Sequence, residues 1–367
     1  LKATLYALLF AVPVALLGAI YTSEFVHARV RATVKPAMEM MASLPSVVLG
    51  FIAALILAPI VETWITSVLM ALVVTPLALL VAAHLWQMLP REFALKLEGL
   101  PKLAFILAAL AAAFAASGAL APWFEAWVFA GDFNSWANGE RGSGGPVTFL
   151  LALPGAYLAV MLGARRVAGD WLKGRDFARW LVFLAAAALL STLLALALGG
   201  LGYDPRGGFV GTYVQRNALI VGFAMGFAVI PIIYTIAEDA LNAVPEHLRA
   251  AALACGATTW QTATAIILPA AASGIFAAIM IGMGRAVGET MIVVMAAGNT
   301  PILDWNLFNG LRALSANIAV ELPEAVKDGT LYRTLFLAAL TLFIMTFVVN
   351  TAAEIVRQRF RRQAAQL

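Results

Sequence analysis

The sequence predicts an all-α polytopic membrane bundle, and three observations carry that expectation. Apolar residues make up 62% of the 367 and charged residues only 12%, against roughly 25% charged in soluble domains. The mean hydropathy is +0.90. Apolar runs close to the roughly 20 residues that a helix needs to cross the hydrocarbon layer recur along the whole chain. A soluble protein of this size could not cover its surface with so few charges. That excludes a cytosolic enzyme, a nucleic-acid binder and a disordered scaffold. Barrel strands are excluded as well, since they run about ten residues and alternate polar with apolar.

The runs are 3–22, 44–60, 64–87, 103–121, 147–164, 180–201, 209–237, 270–297 and 334–353. The second is short and carries Pro45 and Pro59, which blur its ends. Ala/Leu tracts such as 103–121 and 181–198 can only be membrane or deeply buried helices. With the first run entering from outside, the inside joints are 23–43, 88–102, 165–179, 238–269 and the tail 354–367. These joints hold sixteen of the 24 Lys and Arg residues, from Arg29, Arg31 and Lys35 to Arg357, Arg359, Arg361 and Arg362. The positive-inside rule then predicts an outside N-terminus and a cytoplasmic C-terminus. An odd number of spans starting outside leads us to expect a further segment before Leu1. Cys255 is the single cysteine, and His27, His84 and His247 are far apart, so neither a disulfide nor a metal site is expected. The joint 122–146 carries Trp123, Trp127 and Trp136 and then Gly142 to Pro146, which reads as an interfacial aromatic belt followed by a linker.

The span 270–297 contains Arg285 and Glu289. A lone charge at mid-bilayer costs roughly 2.5–3.5 kcal/mol on insertion scales. Spacing of four predicts that both lie on one helix face, where they partly neutralise each other. Gly284 and Gly288, with Gly282 nearby, form a small-residue stripe that lets another backbone approach. The residues alone leave two readings open, a polar pathway or an ion pair locking two helices. His84, Gln87, Arg216, Asn217 and Glu62 read as interfacial or solvated, and Asn350 as an interhelical hydrogen bond.

The joint 238–269 is the longest structured one and reads Val244-Pro-Glu-His-Leu-Arg-Ala-Ala-Ala-Leu-Ala-Cys-Gly-Ala-Thr-Thr-Trp-Gln, then Ile266-Ile-Leu-Pro269. Pro245 suits a helix start and 246–254 are good helix formers. Gly256 supplies a stop, and a second short helix follows from Thr258. Such a helix–Gly–helix unit is shaped to dock into a groove on a partner, although a plain amphipathic connector is not excluded. The Ala-Ala, Gly256 and Ile266-x-Leu-Pro269 spacing resembles the "EAA" loop of ABC importer permeases. Ala250 stands where that family usually has Glu. Gly284-Arg-Ala-Val-Gly-Glu-Thr-Met291, followed by Ala297-Gly-Asn-Thr300, is similar to the phosphate-specific transport (Pst) permeases, the PstC type more than the PstA type. Supporting pieces are Tyr21-Thr-Ser-Glu24, Leu44-Pro-Ser-Val-Val-Leu-Gly50, and Leu314-Ser-Ala-Asn-Ile-Ala319 with Pro323-Glu-Ala. The resemblance covers about 1–61 and 209–360 and leaves the middle uncovered.

The resemblance implies a type I ABC importer permease fold, with about nine transmembrane helices here. It divides the chain into 1–61, the first part of a permease core; 62–208, an inserted four-helix membrane segment; 209–353, the second part with coupling loop 238–269; and 354–367, a basic cytoplasmic tail. The expected function is to carry inorganic phosphate across a bacterial inner membrane by alternating access. The chain has no Gly-x-x-x-x-Gly-Lys-Ser/Thr loop, so it is not expected to be an enzyme. It binds no cofactor directly on this reading, and ATP and Mg belong to two partner ATPase subunits. Further implied partners are a second, PstA-like permease subunit, a periplasmic phosphate-binding protein and membrane lipid, with no nucleic acid. The implied pathway residues are Arg285, Glu289, Gly284, Gly288 and Thr290. Arg285 would offer a planar donor fork to phosphate oxygens, and Glu289 would hold or gate it. The implied ATPase-coupling residues are Glu246, Arg249, Ala251, Ala252, Gly256, Ala257 and Thr258. A permease for another oxyanion, or a membrane sensor or scaffold in phosphate signalling, stays open as an alternative.

Overall fold

The computed structural model describes residues 1–26, 28–89, 100–167, 176–208 and 210–364. The expected joint charges Arg91, Lys96, Lys173 and Arg175, as well as His27, lie outside the described residues. In chain order the helices are α1 (Lys2–Glu24), α2 (Ala28–Ala42), α3 (Ser46–Thr63), α4 (Ile65–Gln87), α5 (Leu100–Val128), α6 (Phe133–Ala137) and α7 (Gly145–Val167). They continue as α8 (Asp176–Gly200), α9 (Ala218–Asn242), α10 (Glu246–Ala254), α11 (Thr259–Gly288), α12 (Met291–Ala296), α13 (Leu314–Glu321) and α14 (Thr330–Ala364). Among the described residues nine helical stretches are long and apolar enough to cross a membrane. The described residues form no strand beyond an isolated bridge between Gly298 and Leu311.

The chain forms two compact units, Leu1–Pro59 with Val214–Leu367, and Ile60–Tyr213. In the first, α9 is the central helix and is mostly buried. Helix α1 lies along it with Ala3, Ala7, Ala11, Ala15 and Ala19 inward. Alanine at every fourth position makes one smooth face, and small faces let helix backbones approach closely. The two helices run parallel and in register, since Gly222 meets Tyr6, Gly226 meets Phe10 and Gly18 meets Tyr234. Helix α11 runs antiparallel to α9: Gly274 abuts Ala240, and Gly282 abuts Ile233 and Val229. Helix α14 closes on α11 where Gly284 faces the Asn350 amide.

At the start of α9 three of its otherwise unpaired N–H groups find partners, and the first helical bond follows. Ala218 and Leu219 donate to the carbonyls of Asn309 and Leu307, at 3.0 Å each. Ile220 donates to the Asn217 side chain at 3.1 Å, and Val221 to the Asn217 carbonyl at 3.2 Å. Asn217 is therefore a fully buried helix cap rather than a snorkelling interfacial residue.

Two spans contain a π turn, Ala53–Leu57 and Ala263–Ile267. Each ends two residues before a proline, Pro59 and Pro269. The N–H of the residue just before each proline reaches five residues back, Ala58 to Ala53 and Leu268 to Ala263. A proline cannot donate and its ring crowds the preceding turn. One widened turn absorbs that conflict without breaking the helix.

Two expectations are corrected here. The short helix expected from Thr258 is the first turn of span α11, begun by a capping box between Thr258 and Gln261. The 270–297 run is not one helix, because α11 ends at Gly288 and α12 begins at Met291. The expected basic tail from 354 is helical as far as Ala364, continuing α14.

In the second unit α4 pairs with α5 and α7 with α8, the latter fixed by a Ser191 hydroxyl donating to the Phe149 carbonyl at 2.5 Å. The 122–146 joint is more ordered than a belt and linker. Trp123 and Trp127 are exposed as interfacial residues are, but Trp136 is fully buried among Phe129 and Phe133. Arg206 pins the joint by donating to the carbonyls of Trp136, Arg141 and Gly142 while it binds Asp204.

Candidate functional site: a coupling helix and a broken span

Two places in the first unit gather the sequence-selected residues. The first is the turn around α10. Pro245 enters with an extended ψ of 137°, and Gly256 leaves with φ +85°, a left-handed conformation that glycine adopts without a Cβ penalty. Glu246, Ala250, Ala251, Leu253, Ala254, Gly256 and Thr258 are exposed. Ala257 is half-buried and Ala252 is buried. Arg249 also turns inward. Its guanidinium donates to the carbonyls of Val244 (2.8 Å) and Leu241 (2.7 Å) and to the Glu24 carboxylate (3.1 Å). It therefore caps the end of α9, where a cation is favoured, and ties α10 to α1. Its contact with the exposed Glu246 is looser, at 3.6 Å.

The second place is the break after α11. Gly282 packs against Val229 and Ile233, near the middle of α9, so Arg285, less than one turn further on, lies about half-way along that central span. Arg285 is exposed and has no hydrogen-bond or ion-pair partner among the described residues. The expected pairing with Glu289 does not form. The helix ends between them, and Glu289 has an extended backbone with ψ 127°, so a four-residue spacing no longer places the two on one face. The Glu289 carboxylate instead accepts from the N–H groups of Met291 (3.2 Å) and Ile292 (3.4 Å), capping α12. Ser315 donates to the Glu289 carbonyl at 3.1 Å, and Thr290 to the Gly288 carbonyl at 3.3 Å.

The glycine stripe also divides. Gly282 serves α9, Gly284 serves α14, and Gly288 has nothing within 4 Å. It is not a single docking face for one helix. An irregular backbone at membrane depth is tolerated only where its polar groups are satisfied or line a wet cavity. Discontinuous helices of this kind are where transport proteins place substrate. Chemically the break offers a cation without an ion-pair partner among the described residues, while the Glu289 carboxylate is engaged by the start of α12.

A further polar cluster, at the α10 end of the unit, was missed by reading the sequence. Glu238 has a side chain only 1% exposed, with Arg31 at 3.7 Å and Lys35 at 3.4 Å. Lys35 also pairs with Asp239, and the hydrogen bond it donates to that carboxylate raises the Lys35 pKa above its ordinary value. Partners some 200 residues apart leave no local signal, and a carboxylate at the end of an apolar run reads as solvated.

The family described as binding-protein-dependent transport system inner membrane component matches residues 147–362. The phosphate transport system permease protein PstC of Mesorhizobium japonicum is 32% identical over 183 residues, covering 49% of this chain and 55% of the relative. PstC 1 of Mycobacterium tuberculosis is 34% identical over 152 residues, 41% of this chain and 45% of the relative. PstA 1 of the same organism is 33% identical over 144 residues, 39% and 46%. In these matches the chain spans about half the length of its relatives. No solved structure matches it.

Proposed function

The chain belongs to the binding-protein-dependent transport system inner membrane component family, and from that premise we propose that it is the PstC-like permease subunit of an ATP-driven phosphate importer. It is a transport subunit of an inner membrane rather than an enzyme. ATP and Mg bind the two partner ATPase subunits, which dock on the exposed face of α10. A PstA-like permease supplies the other half of the pathway, and a periplasmic binding protein delivers phosphate. The α10 end faces the cytoplasm, as does the C-terminus, in keeping with the basic residues of the joints at that end.

The observation that carries the reading is the break after α11. Phosphate bears one to two negative charges near neutral pH, and a pathway for it wants a cation that no resident carboxylate neutralises. Arg285 is that group, with a planar donor fork suited to phosphate oxygens. Glu289 shapes the break by capping α12 and leaves the fork free. Thr290 and Gly288 stand beside it with little steric bulk. ATP-driven closure of the ATPase pair moves α10, and the spans rock between outward-open and inward-open states.

The test is uptake of labelled phosphate at micromolar concentration in cells lacking this gene, with and without the full-length gene restored. Excess sulfate and molybdate are the competitors. Restored uptake that neither anion competes is the expected result, and Arg285→Gln in the assembled complex removes most of it. Competition by either anion would reassign the substrate. Normal uptake by Arg285→Gln would remove the arginine from the pathway.

A further inference from the structure

We propose that a relay of polar side chains carries the movement of α10 to the break at Arg285, and that its members are positioning residues for coupling ATP hydrolysis to transport. The inference rests on the importer reading above. The relay begins at Arg249 on α10, which donates to Glu24 at 3.1 Å. The Ser23 hydroxyl donates to the same Glu24 oxygen at 2.8 Å and faces the Asn242 carbonyl oxygen at 3.3 Å. The Asn242 amide then donates to Glu238 at 2.5 Å. Glu238 in turn meets Arg31 and Lys35 of α2, and Arg31 also donates to the Thr22 and Ser23 carbonyls.

The two carboxylates of the relay are buried, which makes their links costly to break, whereas the Ser23–Asn242 link between them is exposed. The Glu24 and Glu238 side chains are 6% and 1% exposed. One Glu238 oxygen has no hydrogen-bond partner and relies on the Lys35 ammonium alone. A buried carboxylate that loses its cation is strongly destabilised, so the partners stay together as their helices shift. Packing carries the displacement onward from α2. That helix leads into α3, where Gly50 touches the start of α12: a Cβ on Gly50 would lie 3.1 Å from the Met291 carbonyl and 3.3 Å from the Ile292 Cα. Met291 is the residue whose N–H is capped by Glu289. The path therefore runs from the docking helix to the segment that ends the Arg285 turn. It does not use the α11 helix, which joins the same two places directly through the chain.

Arg31 is a second bridge, since it meets both Glu238 and the Thr22 and Ser23 carbonyls. The test is therefore made in an Arg31→Ala background, where Asn242 is the link to cut because its amide is the remaining bridge between Ser23 and Glu238. The complex is reconstituted in proteoliposomes with its ATPase subunits, second permease and binding protein. Two readouts are taken: ATP hydrolysed per phosphate transported, and the distance between spin labels at Ala250→Cys and Glu39→Cys in a Cys255→Ser background. In the parent complex the two labels move together, so their distance stays narrow when nucleotide binds. In Asn242→Ala, and likewise in Ser23→Ala, the distance broadens or shifts on nucleotide binding. ATP consumed per phosphate rises at least threefold while hydrolysis persists. Arg249→Gln is uncoupled in the same way, whereas Arg249→Lys, which keeps a cation beside Glu24, retains most of the coupling. An unchanged distance and unchanged stoichiometry in Asn242→Ala and Ser23→Ala overturn the relay. Failure of the importer reading is told apart in the parent complex, which would then hydrolyse ATP without moving phosphate, while the label distances still decide the relay.

Discussion

Gly282 is where the structure predicts the largest effect from the smallest change. A Cβ placed there lies 2.5 Å from Ile233 Cγ1, 2.7 Å from its Cδ1 and 3.0 Å from Val229 Cγ1. Ordinary carbon–carbon contact is about 3.5–4.0 Å, so α11 and α9 must separate by about an ångström. Ile233 is fully buried and has nowhere to turn. Overpacking of this kind costs about 1–3 kcal/mol. Two atoms of one immobile side chain place this site at the upper end, about 3 kcal/mol. Replacing a mid-helix glycine by alanine returns about 1 kcal/mol. Gly282→Ala therefore loses about 2 kcal/mol net, or about 4–8 °C in the unfolding midpoint for a unit of some 200 residues. Thermal unfolding of the purified chain in detergent reads it. The two substitutions are non-additive: Ile233→Ala alone costs about 2–5 kcal/mol, and adding Gly282→Ala to it costs little or nothing further, since the new methyl then enters space the isoleucine leaves. Gly288→Ala, with nothing within 4 Å, is neutral or slightly stabilising. A Gly282→Ala chain as stable as the parent would refute the close α9–α11 packing, and with it the depth assigned to Arg285.

Arg285→Gln leaves the unfolding midpoint unchanged, because the guanidinium has no partner in the chain to lose, while phosphate uptake falls at least tenfold; a matching loss of stability would mean that the arginine is a structural brace. Glu289→Ala behaves oppositely, lowering stability by about 0.5–2 kcal/mol through loss of the α12 cap, and Glu289→Gln, which keeps an acceptor oxygen, recovers most of it. Gly256→Ala forces a side chain into a left-handed backbone and costs about 1 kcal/mol, read as earlier unfolding of the α10 turn by hydrogen exchange. In the second unit the hydrogen bond from Arg206 holds the Asp204 carboxyl below its ordinary 3.8. A depressed folded-state pKa gives stability that is present above the unfolded value and lost as pH falls through the folded one. Emission from the buried Trp136 therefore changes as pH drops below about 4, and Asp204→Asn weakens that pH dependence, the remainder coming from Asp132, whose carboxyl is also held low by the Ser135 hydroxyl where it caps α6.

Hydropathy made the number and rough position of the spans legible, because each stretch is apolar enough to need no context. It could not rank them. Nothing in the composition of 218–242 marks α9 as the central helix, although alanine at every fourth position from Ala3 to Ala19 was a readable sign that α1 packs on one close neighbour. The break at Glu289 was hidden for the same reason that the span was found: apolar residues continue on both sides, and Gly288 alone does not distinguish a stop from a packing site. What ends the helix is the Glu289 carboxylate capping α12 and Ser315 holding its carbonyl, and the second contact spans 26 residues. Arg249 shows the converse. Its loop was recognisable from spacing, but which of its residues face outward depends on Glu24 and the carbonyls of Leu241 and Val244, and only the folded chain brings these together.

On the proposed reading, the separation of Arg285 from Glu289 bears directly on selectivity. Had the helix continued, the two would have paired at i and i+4, and the pathway would have presented a near-neutral couple with little preference for an anion. Ending the helix at Gly288 redirects the carboxylate to two backbone N–H groups that also need a partner at this depth. One side chain thus satisfies the break and leaves the arginine uncompensated. An unpaired arginine half-way along a span costs roughly 2.5–3.5 kcal/mol if it faces lipid. That cost disappears where the same face borders water or a second protein. On the proposed reading, the exposed face of α11 at Arg285 is therefore the one covered by the other permease. On that reading the charge is tolerated because the assembled complex, rather than this chain alone, encloses it.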